Sequence, residues 1–281
     1  MNIGLIAGEG LFPLLSAKAA RQQGHRVFSV GFKDITDPSI EHASDRHSWI
    51  GLGQLSKMLG FYKDNQVEGV ILAGRIDHAH ALDTKEKLRM MTDPRTLKLL
   101  LGVKERNANG LLQALIGEIE SEGMRVLPSS SYLEAELLAP GLCAGPHPDA
   151  ATLNDIQTGH RVAKALAGMD VGLTACVAQG AIVALEAMEG TDACIRRAGG
   201  LLKDRGRAHL GFCVVKVARP DQDPRYDLPV LGPTSIEIAA EAGARALAAQ
   251  SGWTLLLDSA STKACAKRLG ISLIGLDGKV I

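Results

Sequence analysis

Apolar residues along the chain fall into short runs that end at glycine-bearing turns, and stripes of helical period alternate with them. Asn2-Ile-Gly-Leu-Ile-Ala7 is the first run, followed by Gly8-Glu9-Gly10, and a helix is predicted from there to about Gln23, stopped by Gly24. Arg26 to Val30 reads as the next strand, completing a βαβ unit whose crossover should be right-handed. Gly53 to Asp64 predicts a helix with Leu55, Met58, Leu59 and Tyr62 on one face, and Val67 to Ala73 a buried strand ending at Gly74-Arg75. Helices are expected from Asp93-Pro94 to Leu101 and from Asn107 to Glu122, and Met124 to Leu127 as a strand. This alternation implies an α/β fold with a mainly parallel sheet, in which ligands bind outside the carboxyl ends of the strands.

Most of the proline, glycine and serine punctuation falls between Pro128 and Pro148. The expected organisation is a domain over 1–128, a linker over 129–148 and a second α/β domain over 149–281. Asp149 is read as the cap of a helix to about Ala167, with Leu153, Ile156, His160, Val162 and Ala163 near its buried side. Gly172 to Val177 and Ala181 to Ala187 predict a hairpin around Gln179-Gly180. A helix follows with Thr191 as its N-cap, and Phe212 to Val217 is a strand. Thr234 and Glu237 have capping-box spacing, which predicts a helix from Ser235 to Gln250. Trp253 to Leu257 (strand), Ser259 to Leu269 (helix) and Ile271 to Gly275 (strand) close the chain.

Composition narrows the function classes. The 281 residues carry 31 basic and 31 acidic side chains, and only 4% are aromatic. Neither a basic surplus nor stacking platforms are present, so nucleic acid is not an expected partner. Five scattered cysteines without a CxxC pair fit a reducing compartment. The chain enters a strand pattern at once, with no basic-then-apolar leader, and the most apolar run, Val171 to Leu185, is broken at Gln179-Gly180. A soluble, cytoplasmic protein is expected.

Three stretches carry candidate chemistry. Gly8 and Gly10 let a phosphate approach the start of a helix, although Pro13 spoils a GxGxxG and a glycine pair also serves plain turn geometry. Gly190-Thr191-Asp192 is a second helix start suited to an anion, with Glu189 and Asp192 as hard oxygen donors; plain capping explains it equally. Asp221-Gln-Asp-Pro-Arg-Tyr-Asp227, braced by Pro220, Pro224, Pro229 and Pro233, is a stiff carboxylate loop after a strand, read either as a metal or phosphate site or as a solvated turn. Asp77-His78-Ala79-His80, two histidines and one aspartate close together, is not a sufficient metal signature and is taken as a polar loop. Residue chemistry alone leads to a metal-dependent phosphohydrolase or a nucleotide binder. A dinucleotide-dependent oxidoreductase and a non-catalytic nucleotide-sugar sensor remain alternatives.

Gly4-Leu-Ile-Ala-Gly-Glu-Gly-Leu-Phe-Pro13, Ala73-Gly74, Val183-Ala-Leu-Glu-Ala-Met-Glu-Gly-Thr-Asp-Ala-Cys-Ile-Arg-Arg197 and Tyr226-Asp-Leu-Pro-Val-Leu-Gly232 resemble the LpxI-type UDP-2,3-diacylglucosamine pyrophosphatases over nearly the whole chain. The resemblance implies a Rossmann-like N-terminal domain, a C-terminal domain peculiar to the family, and Mg²⁺-dependent hydrolysis of UDP-2,3-diacylglucosamine to lipid X and UMP, a cytoplasmic step of lipid A synthesis in Gram-negative bacteria. It implies that Asp227 is the essential aspartate, binding metal or orienting water, and that Asp192 shares the metal. It further implies that Gly10, Leu11, Phe12, Gly74, Gly190 and Thr191 meet the substrate. Glu9 stands where relatives carry glycine and is expected to turn away from a diphosphate; Leu173 and Arg75 receive no role. Closure of two domains is expected to supply the dry cleft that diphosphate hydrolysis needs. The partner expected is this lipid-nucleotide, with transient contact at the inner membrane surface; a homodimer is left open.

Overall fold

A computed structural model describes residues 1–76, 93–103 and 108–277. The chain divides into two compact units: Met1–Glu134 together with Asp223–Asp227, and Ala135–Gln222 together with Leu228–Ile281. Asp77-His78-Ala79-His80 lies outside the described residues.

The first unit runs β1 (Asn2–Ala7), α1 (Phe12–Gln22), β2 (Arg26–Phe32), α2 (Ile40–Ala43), β3 (Arg46–Ile50), α3 (Leu55–Asp64), β4 (Gly69–Ala73), α4 (Pro94–Gly102), α5 (Ala108–Ser121) and β5 (Arg125–Val126). Its sheet has the order β3-β2-β1-β4-β5 and every pairing is parallel. The order reverses between β1 and β4, so the crevice where such sheets bind ligands opens at Ala7 and Ala73. Strands β1, β2 and β4 are buried almost throughout, which is why they read as unbroken apolar runs. On α3, Leu55, Met58, Leu59 and Tyr62 are the buried face, as their spacing predicts. Strand β3 escapes the sequence reading because it is an edge: Arg46, His47, Ser48 and Trp49 are exposed or half-buried and give no apolar run.

The second unit contains β6 (Gly141–Ala144), α6 (Ala150–Gly168), β7 (Thr174–Ala178), β8 (Ala181–Leu185), α7 (Thr191–Asp204), β9 (Phe212–Lys216), β10 (Val230–Leu231), α8 (Pro233–Glu241), β11 (Ala244–Gln250), β12 (Leu255–Leu256), α9 (Ser259–Leu269) and β13 (Ser272–Leu276). Its main sheet is ordered β6-β13-β11-β9-β7-β8, with β9, β11 and β13 mutually parallel and the flanking strands antiparallel to their neighbours. The β7–β8 hairpin turns at Gln179 (φ 50°) and Gly180 (φ 76°), and Asp155, buried on α6, accepts both their N–H groups at 3.0 and 2.6 Å. Strand β6 falls within residues 129–148, so part of that stretch belongs to the sheet.

One element differs in kind from expectation. The predicted helix from Ser235 to Gln250 ends at Glu241, and Ala244–Gln250 is strand β11, buried between β9 and β13. Helix propensity, even alanine's, is a weak preference, and a central strand paired with two neighbours overrides it. The start differs too: Gly232 caps α8 and its N–H donates to Ser235 Oγ at 3.3 Å, so Thr234 and Glu237 do not form the capping box.

Candidate active site

In the first unit the sheet's carboxyl edge is built by glycines. Gly8 N–H donates to Ala73 O at 2.8 Å and Glu9 N–H to Arg75 O at 2.7 Å, tying the ends of β1 and β4 together. A Cβ on Gly8 would stand 2.7 Å from Arg75 O, and one on Gly74 (φ +87°) 2.7 Å from Glu9 O. Gly74 therefore has a backbone reason to be glycine, whatever it contacts. Gly10 (φ +93°) is exposed with open space around it. Leu11 is 44% exposed at the start of α1, whereas Phe12 is packed into the interior. Of that pair only Leu11 presents its side chain to solvent. Glu9 leans to Arg75, carboxylate to guanidinium at 3.7 Å, which keeps its charge occupied at the rim.

The carboxylate loop reaches the same edge. Ser129, buried just after β5, donates its N–H to Pro224 O, and its hydroxyl lies at 2.8 Å from both Leu72 O on β4 and Arg225 O. Arg225 grips Asp223 (Nε–Oδ1 3.0 Å, Nη2–Oδ2 2.8 Å) and reaches Glu120 on α5 at 3.1 Å. That guanidinium holds the Asp223 carboxyl below the usual carboxylate range. Tyr226 is buried in the first unit's core, its hydroxyl bonded to Asn109. Fastened on both sides, the segment leaves Asp227 exposed, in left-handed backbone (φ 54°), as its last residue before the chain re-enters the second unit at Leu228. Asp223 is thus a strut, and Asp227 is exposed. Gly10, Leu11, Gly74 and the fastened segment share one edge of one unit.

Gly190, Thr191 and Asp192 belong to the second unit. The N-cap of α7 is Gly190 (φ 82°, a value that suits glycine), not Thr191 as predicted. Thr191 is the first helical residue, and its hydroxyl binds Glu186 Oε1 at 2.9 Å instead of capping. Lys216 Nζ donates to the same hydroxyl at 3.1 Å. Asp192 is exposed in the first turn, where the helix dipole favours an acid. Glu189 is taken up by Arg197, which also donates to Leu185 O at 2.7 Å, so it is not offered as a ligand. Ser129, Arg225, Glu186 and Lys216 were not singled out from sequence; the one available signal was a lysine closing the apolar run Phe212–Val215.

Among the described residues no three His, Cys, Asp or Glu side chains converge on a metal-sized site. Mg²⁺ needs no such cage: one or two carboxylates, waters and substrate phosphates commonly hold it. Asp227 in the first unit and Asp192 in the second are each exposed hard oxygen donors, the kind of ligand that a cation arriving with phosphate takes. No helix among the described residues is long and apolar enough to cross a membrane.

A model of the LpxI N-terminal domain matches residues 2–135 and one of the LpxI C-terminal domain matches 139–274. The chain is similar to the UDP-2,3-diacylglucosamine pyrophosphatase LpxI of Caulobacter vibrioides, 28% identical over 282 residues and covering 98% of each chain. Among solved structures, a UDP-glucose-4-epimerase from Stenotrophomonas maltophila with bound NAD is matched over 44% of this chain and 34% of its own (TM-score 0.28, 18% identity). The biotin carboxylase subunit of a pyruvate carboxylase is matched over 74% and 40% (TM-score 0.27, 14% identity). Likeness at those scores carries no argument about function; the two domain models, which together take in both units, do, and the chain belongs to the LpxI family.

Proposed function

We propose that the protein hydrolyses the diphosphate of UDP-2,3-diacylglucosamine, giving 2,3-diacylglucosamine 1-phosphate (lipid X) and UMP, in lipid A synthesis, with Mg²⁺ as cofactor. Family membership supports the reaction class. The observation that supports the site assignment is the fastened segment: Ser129, Arg225 and Tyr226 hold the chain around Pro224, and Asp227, next along it, is exposed.

In this reading Asp227 and Asp192 would hold the cation, or Asp227 would orient the attacking water. The oxygen of that water forms a bond to one phosphorus, the bridging P–O bond breaks, and both products leave as phosphate monoesters. When bound, Mg²⁺ would neutralise diphosphate charge and favour the leaving group. Gly10 and Leu11 line the carboxyl edge beside β1, where the open space at Gly10 admits a phosphate or sugar close to the backbone. Acyl chains add affinity through burial, about 0.8 kcal/mol per CH₂. The lipid substrate brings the enzyme to the cytoplasmic face of the inner membrane.

UMP release from UDP-2,3-diacylglucosamine, measured with and without EDTA, tests the proposal. Release abolished by EDTA and restored by Mg²⁺ is expected. Undiminished release in EDTA contradicts the cofactor, and no release in Mg²⁺ contradicts the reaction.

A further inference from the structure

Met188, in the second unit, projects fully into solvent (102% exposed) from the loop between β8 and α7. Gly172 lies against the start of that loop: a Cβ there would stand 2.2 Å from Glu186 O, and Leu173 N–H donates to Glu186 Oε2 at 3.1 Å. Val171 and Met169, 47% and 67% exposed, therefore come to the same end of the β7–β8 hairpin as Met188. Acids beside them are paired, Asp170 with Arg219 at 2.9 Å and Glu189 with Arg197. Apolar side chains gathered in water at one tip mark a surface that meets another body.

Helix α7 continues from this tip. Arg196, Arg197, Leu201 and Lys203 are exposed on it, and exposed Arg205 and Arg207 follow its last turn. From Met188 to Arg207 five basic residues stand against three acidic ones, on a chain whose formal net charge is zero. Arg196, Lys203, Arg205 and Arg207 have no ion-pair partner among the described residues. Cations at the carboxyl end of a helix suit its dipole, but Arg196, in the second turn, has no such reason to be there. Between Arg196 and Lys203 lies a cavity of about 340 Å³, lined also by Gly199, Gly200 and Glu241. Gly199 is needed, since a Cβ there would stand 2.3 Å from Ala242 O; a Cβ on Gly200 would meet nothing within 4 Å. A helix-interior glycine weakens its helix, and this one leaves bare backbone between two unpaired cations. With Glu241 counted, the charge around the cavity is still positive, two cations to one acid.

We propose that this face, the apolar tip together with the basic side of α7, is where the protein rests on an anionic lipid bilayer. The inference deepens the hydrolase reading above, on which it rests for a substrate that lies in a membrane. Met188, Met169 and Val171 enter the boundary between headgroups and acyl chains, and the unpaired cations meet lipid phosphates. A protein partner would accept the apolar tip as well; the surplus of unpaired cations beside it is what matches a surface of phosphates.

Co-sedimentation of the full chain with vesicles of phosphatidylethanolamine and phosphatidylglycerol, against vesicles of phosphatidylcholine alone, tests this without substrate. Binding to the anionic vesicles that weakens as salt rises is expected. Arg196→Gln combined with Lys203→Gln should lower the partition coefficient about 10- to 30-fold, at roughly fivefold for each cation. Met188→Ser should lower it too, and so should Gly200→Glu, which sets a carboxylate between the same cations, each with melting near that of wild type. The Arg196→Gln, Lys203→Gln protein should release UMP at the wild-type rate from substrate dispersed in detergent and more slowly from substrate held in anionic vesicles. Equal binding to both kinds of vesicle, or wild-type binding by the Arg196→Gln, Lys203→Gln protein, overturns the inference. A mass that doubles with concentration and reverts in Met188→Ser, without vesicle binding, gives the face to a second copy of the chain and overturns it as well. Wild-type protein that binds anionic vesicles in the expected way but releases no UMP from either form of substrate contradicts the hydrolase reading and supports the surface.

Discussion

Asp227 sits in left-handed backbone, a conformation that aspartate and asparagine tolerate better than other non-glycine residues. Asparagine at 227 therefore changes charge and little else. Asp223 behaves differently. Its folded carboxyl titrates below its unfolded value because Arg225 grips it. Stability from this pair is present above the unfolded pKa and is lost as pH falls through the folded one. The melting temperature of wild type should accordingly fall more steeply below about pH 4 than that of Asp223→Asn, a comparison made by acid titration of thermal melts. A parallel descent of the two would show that the pair contributes nothing. The cysteines give a third residue-scale expectation. Cys176, Cys194, Cys213 and Cys265 are buried, and burial pushes the Cys213 thiol up to about 11. A thiol reagent should label Cys143 first in native protein and reach the other four only on unfolding. Early labelling of Cys213, read by peptide mapping, contradicts that.

At the scale of elements, two couplings hold strand ends in place. Gly8 and Gly74 let β1 and β4 end backbone against backbone, with Pro13 of α1 also 2.9 Å from where a Gly74 Cβ would stand. Gly74→Ala adds that clash to a positive φ and should cost about 1–3 kcal/mol, read from denaturant unfolding. A loss under about 0.5 kcal/mol, typical of open surface sites, would mean the strand ends part easily. In the second unit Asp155 ties α6 to the hairpin turn and to Arg245 on β11 at 2.7 Å. Asp155→Ala leaves a partly buried guanidinium and two N–H groups without that acceptor, and should cost about 3–5 kcal/mol. The same strand β11 explains where local reading fails. Ala244-Arg-Ala-Leu-Ala-Ala-Gln250 has helical composition, and only its place between two parallel strands makes it extended. The hairpin at Gln179-Gly180 and the helix capped by Asp149 were legible because turn and cap chemistry are local.

Across the whole molecule the parallel sheet of the first unit was legible, because strands buried on both faces leave apolar runs and their glycine ends leave punctuation. What sequence could not show is that Asp223–Asp227 leaves the surrounding second unit to complete the first. That assignment depends on Ser129, Arg225 and Tyr226 finding partners far away in the chain, among them Leu72, Asn109 and Glu120. Nor does spacing reveal that Glu186 claims the Thr191 proton, since that depends on the register of β7 against β8 and β9. The proposed reaction depends on one carboxylate exposed at the edge of a parallel sheet. The most direct test is the rate of UMP release from UDP-2,3-diacylglucosamine in Mg²⁺ by Asp227→Asn, alongside its melting temperature. A fall of about 10²-fold or more, the scale of a positioned catalytic group, with wild-type melting is the predicted result; a wild-type rate contradicts the assignment of Asp227.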